Sequence, residues 1–194
     1  PLDKLWKQYK RIIKDNGCIA LFAQTPFDKV LGSSNIKMLK YEWIWEKSKA
    51  TGHLNAKRSP MKAHENILIF YKKPPTYNPQ MTTGKPYKGQ GGNGVGDGNS
   101  NYGTYGTFRY DNEGTRYPRS VLEFSSVSKP IHITEKPVPL LEYLVKTYTN
   151  EGELVLDNCA GSGSLGEACK NLNRNYILIE KELEYYNKIL ERLK

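Results

Sequence analysis

The stretch that most constrains this chain runs from Glu153 to Glu180. Leu154, Val155 and Leu156 form a short apolar run ahead of polar Asp157, the pattern of a strand buried on both faces of a parallel sheet. Asn158-Cys159-Ala160 leads into Gly161-Ser162-Gly163, where missing side chains open backbone conformations that other residues avoid. From Ser164 the periodicity turns helical, with Ala168 and Cys169 small enough to pack on a sheet. Asn173-Arg174-Asn175 turns the chain into a second apolar run, Tyr176 to Ile179, which ends on Glu180. Strand, glycine loop, helix, strand and acid in that order make the βαβ layout that holds an adenosine-type ligand.

The chemistry follows from those parts. Amide N–H groups at a helix N-terminus attract a phosphate or carboxylate. The glycines let a ligand lie against bare backbone, and a carboxylate at the end of the next strand accepts hydrogen bonds from both ribose hydroxyls. Gly161, Gly163 and Gly166 also satisfy G-x-G-x-x-G. The pattern alone therefore admits S-adenosylmethionine (SAM), a dinucleotide, or a glycine-rich turn that holds nothing.

Size and charge narrow the field. A chain of 194 residues provides one sizeable domain, or a core domain with a small insertion. Its net charge of +9 calls for an acidic partner, most simply nucleic acid. Three cysteines (Cys18, Cys159, Cys169) with no C-x-x-C spacing indicate neither a disulfide framework nor a zinc site, and they accord with a reducing cytoplasm. His53 and His64 lack metal-ligand company, so no metal is expected. No apolar run reaches membrane-spanning length, and no signal peptide is visible.

The N-terminal part reads as helix 2–13, strand 18–22 and a short helix 26–31 that Gly32-Ser33-Ser34 breaks. A strand through Leu39, Tyr41, Trp43 and Trp45 has Ile67 to Tyr71 as its antiparallel neighbour, with both tryptophans assigned to the core rather than to base stacking. The loop between them carries Lys47, Lys49, Lys57, Arg58 and Lys62 with no acidic residue, a composition that neutralises phosphates or is simply solvated. Residues 74–120 crowd glycines with tyrosines and basic residues, Tyr102, Tyr105 and Arg109 among them. Such a stretch builds little core and should be mobile alone, ordering on nucleic acid as an inserted recognition segment; a plain flexible insertion is the competing reading. A strand 122–124, a polar turn His132 to Pro137, a helix from Val138 to Tyr148 and a terminal amphipathic helix from Leu183 complete the chain. The glycine unit thus ends the chain with only two strands, so its sheet must borrow the remaining strands from the N-terminal part.

With these pieces placed, the chain resembles the permuted (β-group) DNA amino-methyltransferases over nearly its whole length. Asp157-Asn158-Cys-Ala-Gly161-Ser162-Gly163-Ser is similar to their SAM loop, and Glu180 to the acid on the ribose. His132-Ile-Thr134-Glu-Lys136-Pro137-Val resembles their H-P-T-x-K-P-V signature beside the methionine end of SAM, with Ile133 in place of proline. Tyr41 to Lys47 and His64 to Phe70 resemble the strand pair beyond the catalytic motif, and 74–120 occupies the target-recognition position. The resemblance implies an α/β, Rossmann-like methyltransferase sheet, circularly permuted, with an inserted recognition segment. It divides the chain into part of a catalytic subdomain at 1–73, a recognition segment at 74–120 and a SAM-binding subdomain at 121–194.

The implied activity is methyl transfer from SAM to an exocyclic amino nitrogen of a base flipped out of double-stranded DNA, N6 of adenine ahead of N4 of cytosine. A cognate restriction endonuclease and a homodimer are implied partners. The family's catalytic tetrapeptide, (D/N/S)-P-P-(Y/F/W), should stand upstream of Leu2, and the only Pro-Pro pair here is Lys73-Pro74-Pro75-Thr76. No catalytic residue is therefore assigned in this chain; residues before Pro1, or a partner, are expected to supply that motif. Two other classes stay open: a non-enzymatic DNA-binding subunit or inactive fragment, which the departure favours, and an NAD-dependent oxidoreductase.

Overall fold

The computed structural model describes residues 2–91 and 108–194, and the chain divides into two units, Pro1–Asn78 with Arg119–Lys194, and Pro79–Pro118. The first unit begins with α1 (Leu2–Ile12), β1 (Ile19–Ala23), α2 (Phe27–Ser33), β2 (Leu39–Thr51), a 3₁₀ turn at His53–Asn55 and β3 (Lys62–Phe70). The second unit holds β4 (Thr82–Thr83), β5 (Tyr87–Gly91), β6 (Phe108–Asn112) and β7 (Thr115–Arg116). The chain then returns to the first unit with β8 (Val121–Phe124), α3 (Val138–Tyr148), β9 (Leu154–Asp157), α4 (Ser164–Asn171), β10 (Asn175–Leu178) and α5 (Leu183–Arg192). The segments 1–73 and 121–194 thus lie within one unit.

β3 is the centre of a four-stranded sheet ordered β1-β3-β2-β8, antiparallel to both neighbours, while β2 and β8 run parallel. A strand so placed must be apolar on both faces, and Ile67-Leu-Ile-Phe70 meets that demand after Glu65 and Asn66, whose amide donates to Asp28 Oδ2 (2.9 Å). Ile67 and Ile69 pack with Trp43, Trp45 and Leu122 against Leu140, Leu144 and Tyr148 of α3. On the opposite face Leu68 and Phe70 pack with Ile19 and Ala23 against Trp6 of α1 and Leu31 of α2. Each such fully buried side chain contributes about 1.5–3 kcal/mol of hydrophobic stabilisation. The three indoles are buried with their N–H groups satisfied: Trp6 donates to Ser34 Oγ (2.7 Å), Trp45 to the Phe124 carbonyl (2.8 Å) and Trp43 to Tyr148 Oη (2.6 Å).

Three expectations change. The helix α2 runs through Gly32 and Ser33 instead of breaking there. β2 extends to Thr51, with a register irregularity between Glu46 and Thr51 before Thr51 pairs with Lys62, so the basic loop is largely a hairpin. The Leu154–Leu156 strand is not buried on both faces. β9 pairs in parallel with β10, and among the described residues this two-stranded sheet has no hydrogen-bonded strand from the N-terminal part. Its Leu154, Leu156 and Ile177 side chains lie on one face and are exposed, as is Ile179 just beyond, while Leu178 faces α4. Alternation along the strand, invisible in an all-apolar run, decides which side chains are covered.

In the second unit β4 pairs with β7 and β5 with β6, both antiparallel. The Arg116 guanidinium lies 4.6 Å from the centre of the Tyr87 ring, which meets Tyr110 edge-on at 5.9 Å. The described parts of the 74–120 segment thus include two short antiparallel ladders. Tyr102 and Tyr105 lie outside the described residues.

Tyr148 Oη receives the Trp43 N–H and also bonds Tyr41 Oη at 2.8 Å. Tyr148→Phe would strand the buried indole donor. We expect it to lower unfolding stability by about 1–3 kcal/mol in urea denaturation, and a loss under half a kcal/mol would contradict this role.

Candidate cofactor site

The glycine loop is shaped by two left-handed residues. Gly161 has φ +53° and Gly163, which caps α4, has φ +76°, conformations that cost other residues about 1–2 kcal/mol. Crowding adds to the demand. A Cβ on Gly161 would sit 3.3 Å from His132 Cγ, and one on Gly163 would sit 3.0 Å from Ile189 Cγ1. The loop is anchored to the strands by Ala160 N–H to the Ile179 carbonyl (3.0 Å) and Ile179 N–H to the Asp157 carbonyl (2.8 Å). It therefore lies at the carboxyl ends of β9 and β10, where open α/β sheets place their ligands.

Two carboxylates flank it. Glu180 accepts from the Gly161 N–H (2.8 Å) on one oxygen and the Glu182 N–H (3.0 Å) on the other. The Glu182 amide, with help from Gly161, holds its carboxyl below the usual range despite partial desolvation. Asp157 accepts from the Cys159 N–H (2.9 Å); burial pushes its pKa up, the Cys159 amide only partly opposes this, and nearby Glu180 adds to it. Asn158 Oδ1 accepts from Tyr9 Oη at 2.8 Å, which ties α1 to the loop.

The segment before α3 forms the opposite wall. His132 lies over Gly161 with Tyr185 edge-on at 4.5 Å, and its Nδ1 bonds Thr134 Oγ1 at 3.0 Å. Thr134 is exposed and Pro137 is buried at the start of α3. Lys136 donates to the Thr134 carbonyl (3.0 Å) and pairs with Glu65 (3.1 Å), which also takes Lys47 (3.0 Å). Burial opposes ionisation of Glu65, yet the two lysines hold its carboxyl below its ordinary value. Glu65 was not singled out from the sequence, although an acid within a buried strand is the signal that marks it.

Asp157, Asn158, Gly161, Ser162, Gly163, Glu180 and His132 thus converge. Ser162 enters as backbone only, since its side chain is buried. Among the basic candidates Lys47 is committed to Glu65 and is half-buried, so it is not a free phosphate ligand. Lys49, Lys57 and Arg58 are exposed on the β2–β3 hairpin; Lys62, also exposed, donates to the Thr25 carbonyl (3.2 Å). Arg109 is exposed on β6 in the second unit.

The chain belongs to the DNA methylase family, whose model matches residues 2–191. It is 30% identical over 191 residues to the type II methyltransferase M.HpaI of Haemophilus parainfluenzae, covering 94% of this chain and 55% of that protein. M1.MboII of Moraxella bovis is 30% identical over 168 residues, or 77% of this chain and 61% of the relative. The chain therefore spans little more than half the length of these relatives. Among solved structures, the M1.HpyAVI–SAM complex superimposes with a TM-score of 0.68 at 25% identity, over 98% of this chain and 80% of the other. PvuII DNA methyltransferase (cytosine-N4-specific) reaches a TM-score of 0.72 at 15% identity, over 100% of this chain and 70% of that one, a likeness of fold alone.

Because the folded pKa of Glu180 is depressed, its stability contribution is complete above the unfolded value of about 4.3 and is lost as pH falls through the folded pKa. The melting temperature of Glu180→Gln should therefore decline less steeply than wild type on acidification through that window. Parallel curves would refute it.

Proposed function

We propose that this chain carries the SAM-binding machinery of a site-specific DNA methyltransferase that methylates an exocyclic amino nitrogen of a flipped base. Adenine N6, ahead of cytosine N4, is the target we adopt. The observation that carries the reading is the left-handed glycine loop with bare backbone between His132 and Glu180. The α4 N-terminus would receive the carboxylate of SAM, and the remaining lone pairs of Glu180 would accept the ribose hydroxyls. His132, held by Thr134, would close the site over Gly161, with Lys136 and Pro137 fixing that segment. Asp157 and Asn158 would border the loop. Bound SAM supplies the methyl group; the chain's own residues orient it and exclude water.

Double-stranded DNA is the proposed substrate, followed by the exposed Lys49, Lys57 and Arg58 hairpin and by the unit containing Arg109. Lys62, already bonded to Thr25, would contribute charge at the hairpin base. The type II names of the relatives support a cognate restriction endonuclease as a functional partner. No helix among the described residues is long and apolar enough to cross a membrane.

SAM should raise the melting temperature while NAD does not, and stabilisation by NAD alone would overturn the reading. Labelled methyl from SAM should reach unmethylated DNA. Digestion to nucleosides should place it in N6-methyladenine; label in N4-methylcytosine would move the target base. Replacing Lys57 and Arg58 together by alanine should flatten the log–log salt dependence of DNA binding by about 2, close to 0.9 for each phosphate no longer neutralised. An unchanged slope would remove the hairpin from the DNA path.

A further inference from the structure

Ser162 lies between two left-handed glycines, so the loop has unusual conformational freedom and needs an outside restraint to keep one shape. Besides the bonds to Ile179 and Glu180, a restraint comes from the far end of the chain. Arg192, the last residue of α5, donates from Nη1 to the Ser162 carbonyl and to Ser162 Oγ, both at 3.2 Å. The same nitrogen meets Glu135 Oε1 at 2.8 Å, and Nε binds Glu167 in the first turn of α4. Ser162 is 2% exposed, and the Glu135 side chain is likewise buried.

We propose that Arg192 is a positioning residue for the cofactor: it fixes the glycine loop against the His132 wall without touching the ligand. The idea rests on the SAM-binding role proposed above. Glu135 accepts from the Ile131 N–H (2.7 Å) and the His132 N–H, so the arginine holds both walls of the site through one planar group. Ile189, one turn earlier on α5, packs on Gly163 and adds a second point of contact. The contacts to both walls share Nη1, and the bond from Nε to Glu167 fixes the guanidinium plane that aims that nitrogen; a lysine's single nitrogen has no second anchor of this kind.

The test measures SAM affinity and, without SAM, melting temperature and hydrogen exchange at Gly161–Gly163. Arg192→Met alone would leave Glu135 buried and unpaired, so it is combined with Glu135→Gln, which removes both charges and keeps an acceptor for the Ile131 amide. Arg192→Lys is the second variant. Both should melt within a few degrees of wild type, exchange the loop amides faster, and bind SAM about tenfold more weakly, the scale of one missing charge-assisted hydrogen bond. Wild-type affinity in both variants would overturn the proposal. So would a loss of affinity that only tracks a fall in melting temperature, which would make Arg192 a general stabiliser. Failure of the wild-type chain to bind SAM would overturn the cofactor reading itself, and this proposal with it.

Discussion

Glu65 is the buried charge of the central strand, beside buried Asn66, and two distant parts of the chain meet through it. Its carboxylate is shared by Lys47 from β2 and Lys136 from the segment that walls the glycine loop. Each ammonium also lies over an aromatic ring, Lys47 at 4.7 Å from Trp45 and Lys136 at 5.1 Å from Phe22. A carboxylate this deep is tolerable only when paired, and removing one partner of a buried pair typically costs about 3–5 kcal/mol. The acid that the sheet must neutralise is therefore also tied, through Lys136, to the segment that walls the loop. Sheet and site are coupled by charge as well as by packing.

The elements of the site built from contiguous residues were legible in the sequence. Leu154 to Glu180 encodes strand, turn, helix and strand locally, and the two glycines adopt the left-handed backbone that only their lack of Cβ makes easy. The start of α3 was equally readable from Pro139 in its first turn and the stripe of Leu141, Leu144 and Val145. The buried tryptophans followed from their alternation in β2. What stayed hidden was partner choice. Composition shows Lys47 as one more cation in a basic run; only the register that places Glu65 opposite Trp45, beside Lys47, shows that its charge is already neutralised. Arg192 was invisible for the same reason, since nothing within thirty positions of Ser162 in sequence announces that the two touch.

The extension of β2 is a second instance. Glycine and turn residues between Lys47 and His64 read as a loop, yet the pairing of Thr51 with Lys62 carries the ladder onward past an irregular stretch. The pairing alters where the basic residues stand: Lys49 lies on a strand, whereas Lys57 and Arg58 ride near the tip, beyond the 3₁₀ turn.

The open face of the β9–β10 pair has its own consequence. Leu154 is 58% exposed and Ile179 52%, with Leu156 and Ile177 between them and Leu183, Tyr186 and Leu190 of α5 also facing water. Parallel strands ordinarily have both faces covered, and aliphatic surface of this extent is costly to hydrate. In free solution this face should bind an environment-sensitive dye such as anilinonaphthalene sulfonate while the chain remains fully folded. The usual inference from dye binding to a partly unfolded protein would then mislead, because the fluorescence would report native architecture.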